Sequence, residues 1–190
     1  MSMEKLRGEL AAFIAGIYEG EKKVLVFGEG DVGAPVMLVG EAPGEQETLM
    51  GRPFVGKAGK NLDEFLAGAG MDRGALYVTN VVKFRPTKTS AAGRTVNRPP
   101  TQEEVKLFVP WLRREIELVD PKCVVTLGNV PLKALTDKSR VIGEAHGQFI
   151  EMEKRLLFPM YHPASVIYNP TLKAVYRDDL AVFAHWYENL

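Results

Sequence analysis

Five short apolar runs, residues 24–27, 36–39, 76–79, 123–127 and 156–160, are bounded by Gly, Pro or Asp, and helical segments separate most of them. Strands alternating with helices imply a parallel sheet covered on both faces, which makes the chain an α/β protein. Residues 57–69 place Ala58, Leu62, Phe65, Leu66 and Ala69 on one helical face, with Gly70 as the stop. Thr101 and Glu104 have capping-box spacing, ahead of an apolar stripe of Val105, Phe108, Val109, Leu112 and Ile116 that Pro110 is expected to bend. A third long helix is expected over residues 172–187. Sheets of this kind bind ligands in the loops beyond the carboxyl ends of their strands, so function should sit there.

At 190 residues, 46% hydrophobic and 25% charged, the chain is expected to form one domain over 1–190. Its 24 Lys+Arg balance 24 Asp+Glu, which excludes a histone-like basic protein and leaves attraction to a polyanion to a local patch. The least regular stretch, residues 81–100, supplies that patch: Lys83, Arg85, Lys88, Arg94 and Arg98 with no acid among them. The single cysteine, Cys123, can form neither an internal disulfide nor a four-thiolate metal site, and a reducing cytoplasm is the expected location. No apolar run approaches the ~20 residues of a membrane span. Residues 1–20 carry Glu4, Glu9 and Glu19, unlike a signal peptide. No His/Cys/Asp/Glu spacing suggests a metal site. Cys123 is expected to pack as a small hydrophobe, and His146 and His185 to lie on the surface.

Two nucleotide motifs fail on context. Gly28, Gly30 and Gly33 satisfy G-x-G-x-x-G, but Pro35 and the next strand follow where a phosphate-binding helix must begin, so a tight connection explains them better. Residues 51–58 match a P-loop until Ala58, which lacks the hydroxyl that would hold magnesium. Pro53 also removes a donor from the supposed phosphate cradle.

A different set converges on the strand ends. Residues 36–39 run into Gly40, Glu41, Ala42, Pro43, Gly44, Glu45, Gln46 and Glu47, a loop of small residues and carboxylates. Residues 76–79 end in Asn80, an amide able to donate and accept in one plane, and residues 156–160 end in Tyr161, His162 and Pro163. Phe54 adds an aromatic in the glycine-rich loop. Together they describe a pocket for a planar heterocycle.

The segments GEAPGEQETLMGRPFVGKAGKNLDEFL, YVTNVVKFRP, NRPPTQEEV, VVTLGN and MYHPASVIYNP resemble the successive motifs of uracil-DNA glycosylases, most closely family 4, over about residues 24–179. The resemblance implies a three-layer α/β/α sandwich around a four-stranded, mostly parallel sheet, and removal of uracil from DNA as the free base. By the family's pattern Glu41 positions the attacking water, Glu47 is a supporting acid, and His162 bonds the uracil oxygen on which charge accumulates. Asn80 reads the imide edge and rejects cytosine, Phe54 stacks on the flipped base, and Gly40, Ala42, Pro43 and Gly44 line the pocket. Pro163, Ala164 and Ser165 follow the sugar and phosphates, with Val166, Ile167 and Tyr168 where the family carries a wedge. Lys83, Arg85, Arg94 and Arg98 are the expected phosphate contacts.

The sequence also departs from the family. Family 4 members carry four cysteines around an iron-sulfur cluster. Here Phe84 stands in KFRP and Phe108 in LFVPWL where cysteines are expected, and the N-terminal pair is missing. Phe84, Phe108 and an apolar first helix can fill that volume, so no cofactor is expected. The loop at residues 87–96 is long, as in a covalently trapped branch, but it holds no histidine. Asn97 falls about where one aligns, and turnover without capture is expected. Thr48 replaces a common acid. The expected protein is a monomeric uracil-DNA glycosylase, the alternatives being excision of hypoxanthine or xanthine by the same fold, or a catalytically weak DNA-binding relative.

Overall fold

A computed structural model describes residues 2–190. In chain order the elements are α1 (Met3–Ile17), β1 (Glu29–Gly30), β2 (Val36–Gly40), α2 (Glu45–Met50), α3 (Lys57–Gly68), β3 (Tyr77–Asn80), β4 (Thr87–Thr89) and β5 (Thr95–Asn97). There follow α4 (Gln102–Val119), β6 (Cys123–Leu127), α5 (Asn129–Leu135), α6 (Ile142–Ala145), β7 (Ile150–Met152), β8 (Arg155–Met160), α7 (Ser165–Tyr168) and α8 (Leu172–Glu188).

The main sheet has the order β1-β3-β2-β6-β8-β7. Strands β3, β2, β6 and β8 are parallel, while β1 and β7 pair antiparallel at the edges. The expected four-stranded sheet is therefore the centre of a six-stranded one. The added edges, of two and three residues, are too short to register as apolar runs. Residues 24–27, expected as a strand, form none. Val26 is buried and donates its N–H to the Lys83 carbonyl at 2.6 Å, but ladder pairing begins only at Glu29. Residues 87–97, read as irregular, form the two-stranded hairpin β4–β5 with Gly93 at φ 73° in its turn.

Alternation along the strands feeds two cores. Val36, Leu38, Cys123 and Val125 pack with Leu62, Phe65 and Leu66 of α3 and Leu180 and Phe183 of α8. Met37, Val39 and Val124 face Leu10 and Ile14 of α1, Phe108 and Leu112 of α4, and Leu132 of α5. This is the three-layer α/β/α sandwich. Helix α4 starts at the Thr101/Glu104 capping box and runs through Pro110 to Val119 without ending there. The glycine triplet opens no helix: Gly30 passes so close to β3 that a Cβ would lie 2.0 Å from the Leu76 carbonyl oxygen. The P-loop-like stretch follows α2, not a strand. No helix among the described residues is long and apolar enough to cross a membrane.

Phe84 and Phe108 meet edge to face with centroids 5.5 Å apart, and Tyr18 closes on Phe84 at 5.4 Å. Leu10 and Ile14 join the same core. Apolar side chains thus occupy the volume that the resemblance assigns to a cluster. Cys123 lies in the opposite core, where burial pushes its thiol up to about 12. These residues do not fit an iron-sulfur group. Phe108→Ala is expected to remove about 3–5 kcal/mol of unfolding free energy, read by denaturant titration.

Register sets the position of the site. Gly40 pairs with Asn80 and Leu127 with Met160, so the loops after β2, β3, β6 and β8 emerge at one end of the sheet.

Candidate active site

A cleft of about 490 Å³ opens at that end, and Ala42, Gly44, Glu47, Phe54, Asn80, His162, Ala164 and Tyr168 are among its walls. Gly40, Glu41, Pro43, Pro163 and Ser165 adjoin these wall residues in the chain.

Asn80 ends β3 at 3% exposure, and its side-chain amide has no hydrogen-bond partner among the described residues. Its donor and acceptor stay open to the cleft, free for a ligand. Gly40 explains how close its neighbours come: a Cβ there would lie 2.4 Å from both Asn80 Oδ1 and Phe54 Cζ. Phe54 is buried, and its backbone occupies the left-handed region at φ 52°, strained for an aromatic. Arg73 holds this loop, donating to the Phe54 carbonyl at 2.8 Å and the Pro53 carbonyl at 2.7 Å. Gly59 lets the Phe54 carbonyl approach α3, since a Cβ would fall 1.9 Å from that oxygen.

Glu47 sits between two loops. Its Oε1 accepts the Val55 and Gly56 N–H groups at 3.0 and 2.7 Å, and its Oε2 accepts the Gly44 N–H at 3.1 Å. Those bonds make it a brace for both pocket loops. Glu41 is half-buried at the end of β2, its carboxylate without a hydrogen-bond partner among the described residues, and burial raises its pKa above the ordinary carboxylate value.

His162 faces the Phe54 ring at a centroid distance of 5.9 Å. Burial lowers its pKa to about 4, with the Glu47 charge opposing the shift. The imidazole is therefore neutral near pH 7. Its Nδ1 accepts the Ala164 N–H at 3.1 Å, which assigns the ring proton to Nε2. The cleft thus combines a neutral N–H donor, an unpartnered amide and an aromatic face, the parts needed to hold a planar heterocycle and stabilise charge developing on it.

Residues 27–190 match the family model of the uracil DNA glycosylase superfamily. The chain belongs to the uracil-DNA glycosylase superfamily. It is 38% identical to the Type-4 uracil-DNA glycosylase of Sulfurisphaera tokodaii over 80% of its own length and 70% of the relative's. It is also 38% identical to the Type-4 enzymes of Saccharolobus solfataricus, over 83% of this chain and 74% of the relative, and Pyrobaculum aerophilum, over 85% and 83%.

Around the cleft of this glycosylase-superfamily fold, the structure corrects several expectations. Lys83 is 2% exposed and spends its ammonium on internal acceptors, so it cannot reach a phosphate. Arg98 pairs bidentately with Glu104 at 2.7 Å, and Arg85 binds Asn97 at 2.6 Å and faces Glu45 at 3.6 Å. The acid-free stretch in sequence is not acid-free in space. Lys88 and Arg94 remain exposed on the β4–β5 hairpin. Of the wedge residues, Val166 is buried in the core, while Ile167 and Tyr168 project at the cleft, Tyr168 at 87% exposure. Pro163 is buried, and its carbonyl accepts from Asn61 at 3.3 Å. His146, read as a surface residue, instead bonds Asp179 at 2.8 Å.

Sequence reasoning missed Arg73, Gly59 and Glu115. Arg73 holds a carbonyl 19 residues away and Glu115 pairs with Lys83, 32 residues away, so no local motif marks them, while Gly59 is marked only by its close approach to the Phe54 carbonyl in the folded chain.

Proposed function

We propose that the protein is a monofunctional uracil-DNA glycosylase that hydrolyses the N-glycosidic bond of uracil in DNA and leaves an abasic site. The observation that carries this reading is the neutral His162, with its proton on Nε2, in a cleft shared with the unpartnered Asn80 amide. The flipped base stacks on Phe54. Asn80 accepts the N3–H and donates to the carbonyl beside it, whereas cytosine presents the reverse pattern. As the C1′–N1 bond breaks, its electron pair goes to uracil, and the His162 N–H bonds the oxygen on which that charge accumulates. A water oxygen bonds C1′, and Glu41, as carboxylate, favours the cationic sugar and receives the water's proton. Glu47 keeps the two pocket loops in place. Backbone from Gly40 to Gly44, including Ala42 and Pro43, flanks the base. Ala164, Ser165 and Tyr168 meet the strand beside the flipped nucleotide, and Lys88 and Arg94 follow the phosphates. The reading takes the protein to be a cytoplasmic monomer.

The test incubates labelled oligonucleotides containing uracil, hypoxanthine or xanthine, single- and double-stranded, followed by alkaline cleavage. Strand breaks at uracil are expected. No break at uracil would overturn the proposal, and breaks only at a purine would move the activity to that base. The pH profile is a second check. With His162 near 4, no activity limb is expected around the ordinary histidine pKa of 6.5. The single-turnover rate should rise with pH as Glu41 ionises, above its ordinary 4.5. Glu41→Gln is expected to lower the rate and remove that limb.

A further inference from the structure

We propose that the buried Lys83–Glu115 pair is a positioning device for Asn80, fixing the direction in which the base-reading amide enters the cleft. The inference rests on the reading of Asn80 given above.

Lys83 donates to Thr79 Oγ1, the Asn80 carbonyl and Glu115 Oε2, each at 2.6 Å. An ammonium has three protons, and all three are committed. Glu115 reaches in from α4, on the face of the sheet opposite α3, and also accepts from Tyr77 at 2.9 Å and Thr79 at 3.2 Å. Gly28 makes room for it: a Cβ there would lie 2.7 Å from Glu115 Oε1 and 2.6 Å from the Tyr77 ring. The first glycine of the misleading G-x-G-x-x-G therefore has a packing reason.

The placement of these bonds indicates their use. Thr79 and Asn80 are consecutive on β3, so their side chains leave opposite faces. Thr79 turns to Glu115, Asn80 to the cleft. Lys83 grips the hydroxyl of one and the carbonyl of the other, which fixes the Asn80 peptide from behind. The turn it closes is tied forward as well, because the Val81 N–H donates to the Gly40 carbonyl at 2.9 Å and the Val82 N–H to the Glu41 carbonyl at 3.1 Å. One cation thus stands behind both the base reader and the backbone of the proposed water-binding acid. The surroundings are apolar, with Val81, Val82, Phe84 and Phe108 buried in the same core. A buried ion pair in such a place is commonly no more stabilising than apolar side chains of similar volume. The attraction of the two charges alone gives little reason for the pair, and geometry at Asn80 gives a direct one.

The test is a mutant cycle between the pair and Asn80. Lys83→Met with Glu115→Leu removes both charges together, and Asn80→Ala is made in the parent and in that background. Thermal unfolding, DNA-binding Kd and the single-turnover rate of uracil release are measured for each. The expected charge-free protein is less stable than the parent, because Tyr77, Thr79 and the Asn80 carbonyl lose buried partners, but it stays folded at the assay temperature and binds DNA with unchanged Kd. Its uracil release is slowed about tenfold or more, the order expected for a misplaced contact. Asn80→Ala should then cost far less in that background than in the parent, because contacts in one chain of action are not additive. A parental rate, or an equal Asn80→Ala loss in both backgrounds, would overturn the proposal. Asn80→Ala without effect in the parent would overturn the base-reading assignment itself, and this inference with it. Should the charge-free protein fail to fold, Thr79→Val removes one acceptor at nearly equal volume. It is expected to slow release several-fold, again without adding to Asn80→Ala, and a parental rate would count against the proposal in the same way.

Discussion

Replacing His162 with alanine is expected to slow uracil release by on the order of 10²–10³-fold, the usual cost of losing one preorganised oxyanion donor. The loss should fall on the chemical step and leave the Kd for DNA nearly unchanged, since charge on the base develops only as the bond breaks. Neutrality matters to the size of the effect. A ring with a pKa of about 4 is not an effective proton source at pH 7, so it works as a fixed dipole whose Nε2–H is already aimed by the bond to the Ala164 N–H. The parent rate should accordingly show no fall from pH 6 to pH 8 attributable to this ring. Single-turnover assays of parent and His162→Ala across that range check both statements. A loss below about threefold would remove His162 from the chemistry.

The second large effect is expected from adding one carbon. Gly40→Ala places a Cβ 2.4 Å from both Asn80 Oδ1 and Phe54 Cζ, well inside contact distance. Neither neighbour has a cheap escape. Asn80 belongs to β3 and is hydrogen-bonded from behind by Lys83, and Phe54 is held at a left-handed backbone by Arg73. The amide and the ring must separate by about an ångström, a misplacement that can cost about 10²-fold in rate. The variant is expected to remain folded, with uracil release reduced by about that factor and free-uracil inhibition weakened in parallel. Measuring the rate and the inhibition constant together distinguishes a distorted pocket from a general loss of protein, because only the former moves both in folded material.

Both predictions concern strand-end residues, where chain order and spatial order coincide, and for that reason Gly40, Asn80 and His162 are legible in sequence. A strand ending in a short polar motif must deliver it to the carboxyl edge of a parallel sheet. The two aromatic substitutions, Phe84 and Phe108, are legible for a similar reason: a large apolar side chain in a helix stripe or beside a strand has few places to go but inward. Charges behave otherwise. Lys83, Arg85 and Arg98 look alike in a stretch without acids, yet Glu115, Glu45 and Glu104 fold against them from α4 and α2. Which cations remain for DNA depends on acids that only the tertiary fold brings near. The role of Glu47 is ambiguous in sequence for a related cause. A carboxylate in a pocket loop can serve chemistry or hold backbone, and only the folded chain brings to it the three N–H groups from two loops that it holds.

The packing of Tyr18, Phe84 and Phe108 has a consequence for how the protein is made and how it ages. A core closed by side chains is complete when the chain folds, so its assembly needs no delivery of iron or sulfide. Cys123, in the opposite core, is buried with its thiol held far from ionisation, so it offers oxidants no reactive thiolate. The amount of active repair protein is then expected to follow translation and folding, even in a cell short of iron or under oxidative stress, when damaged DNA most needs attention.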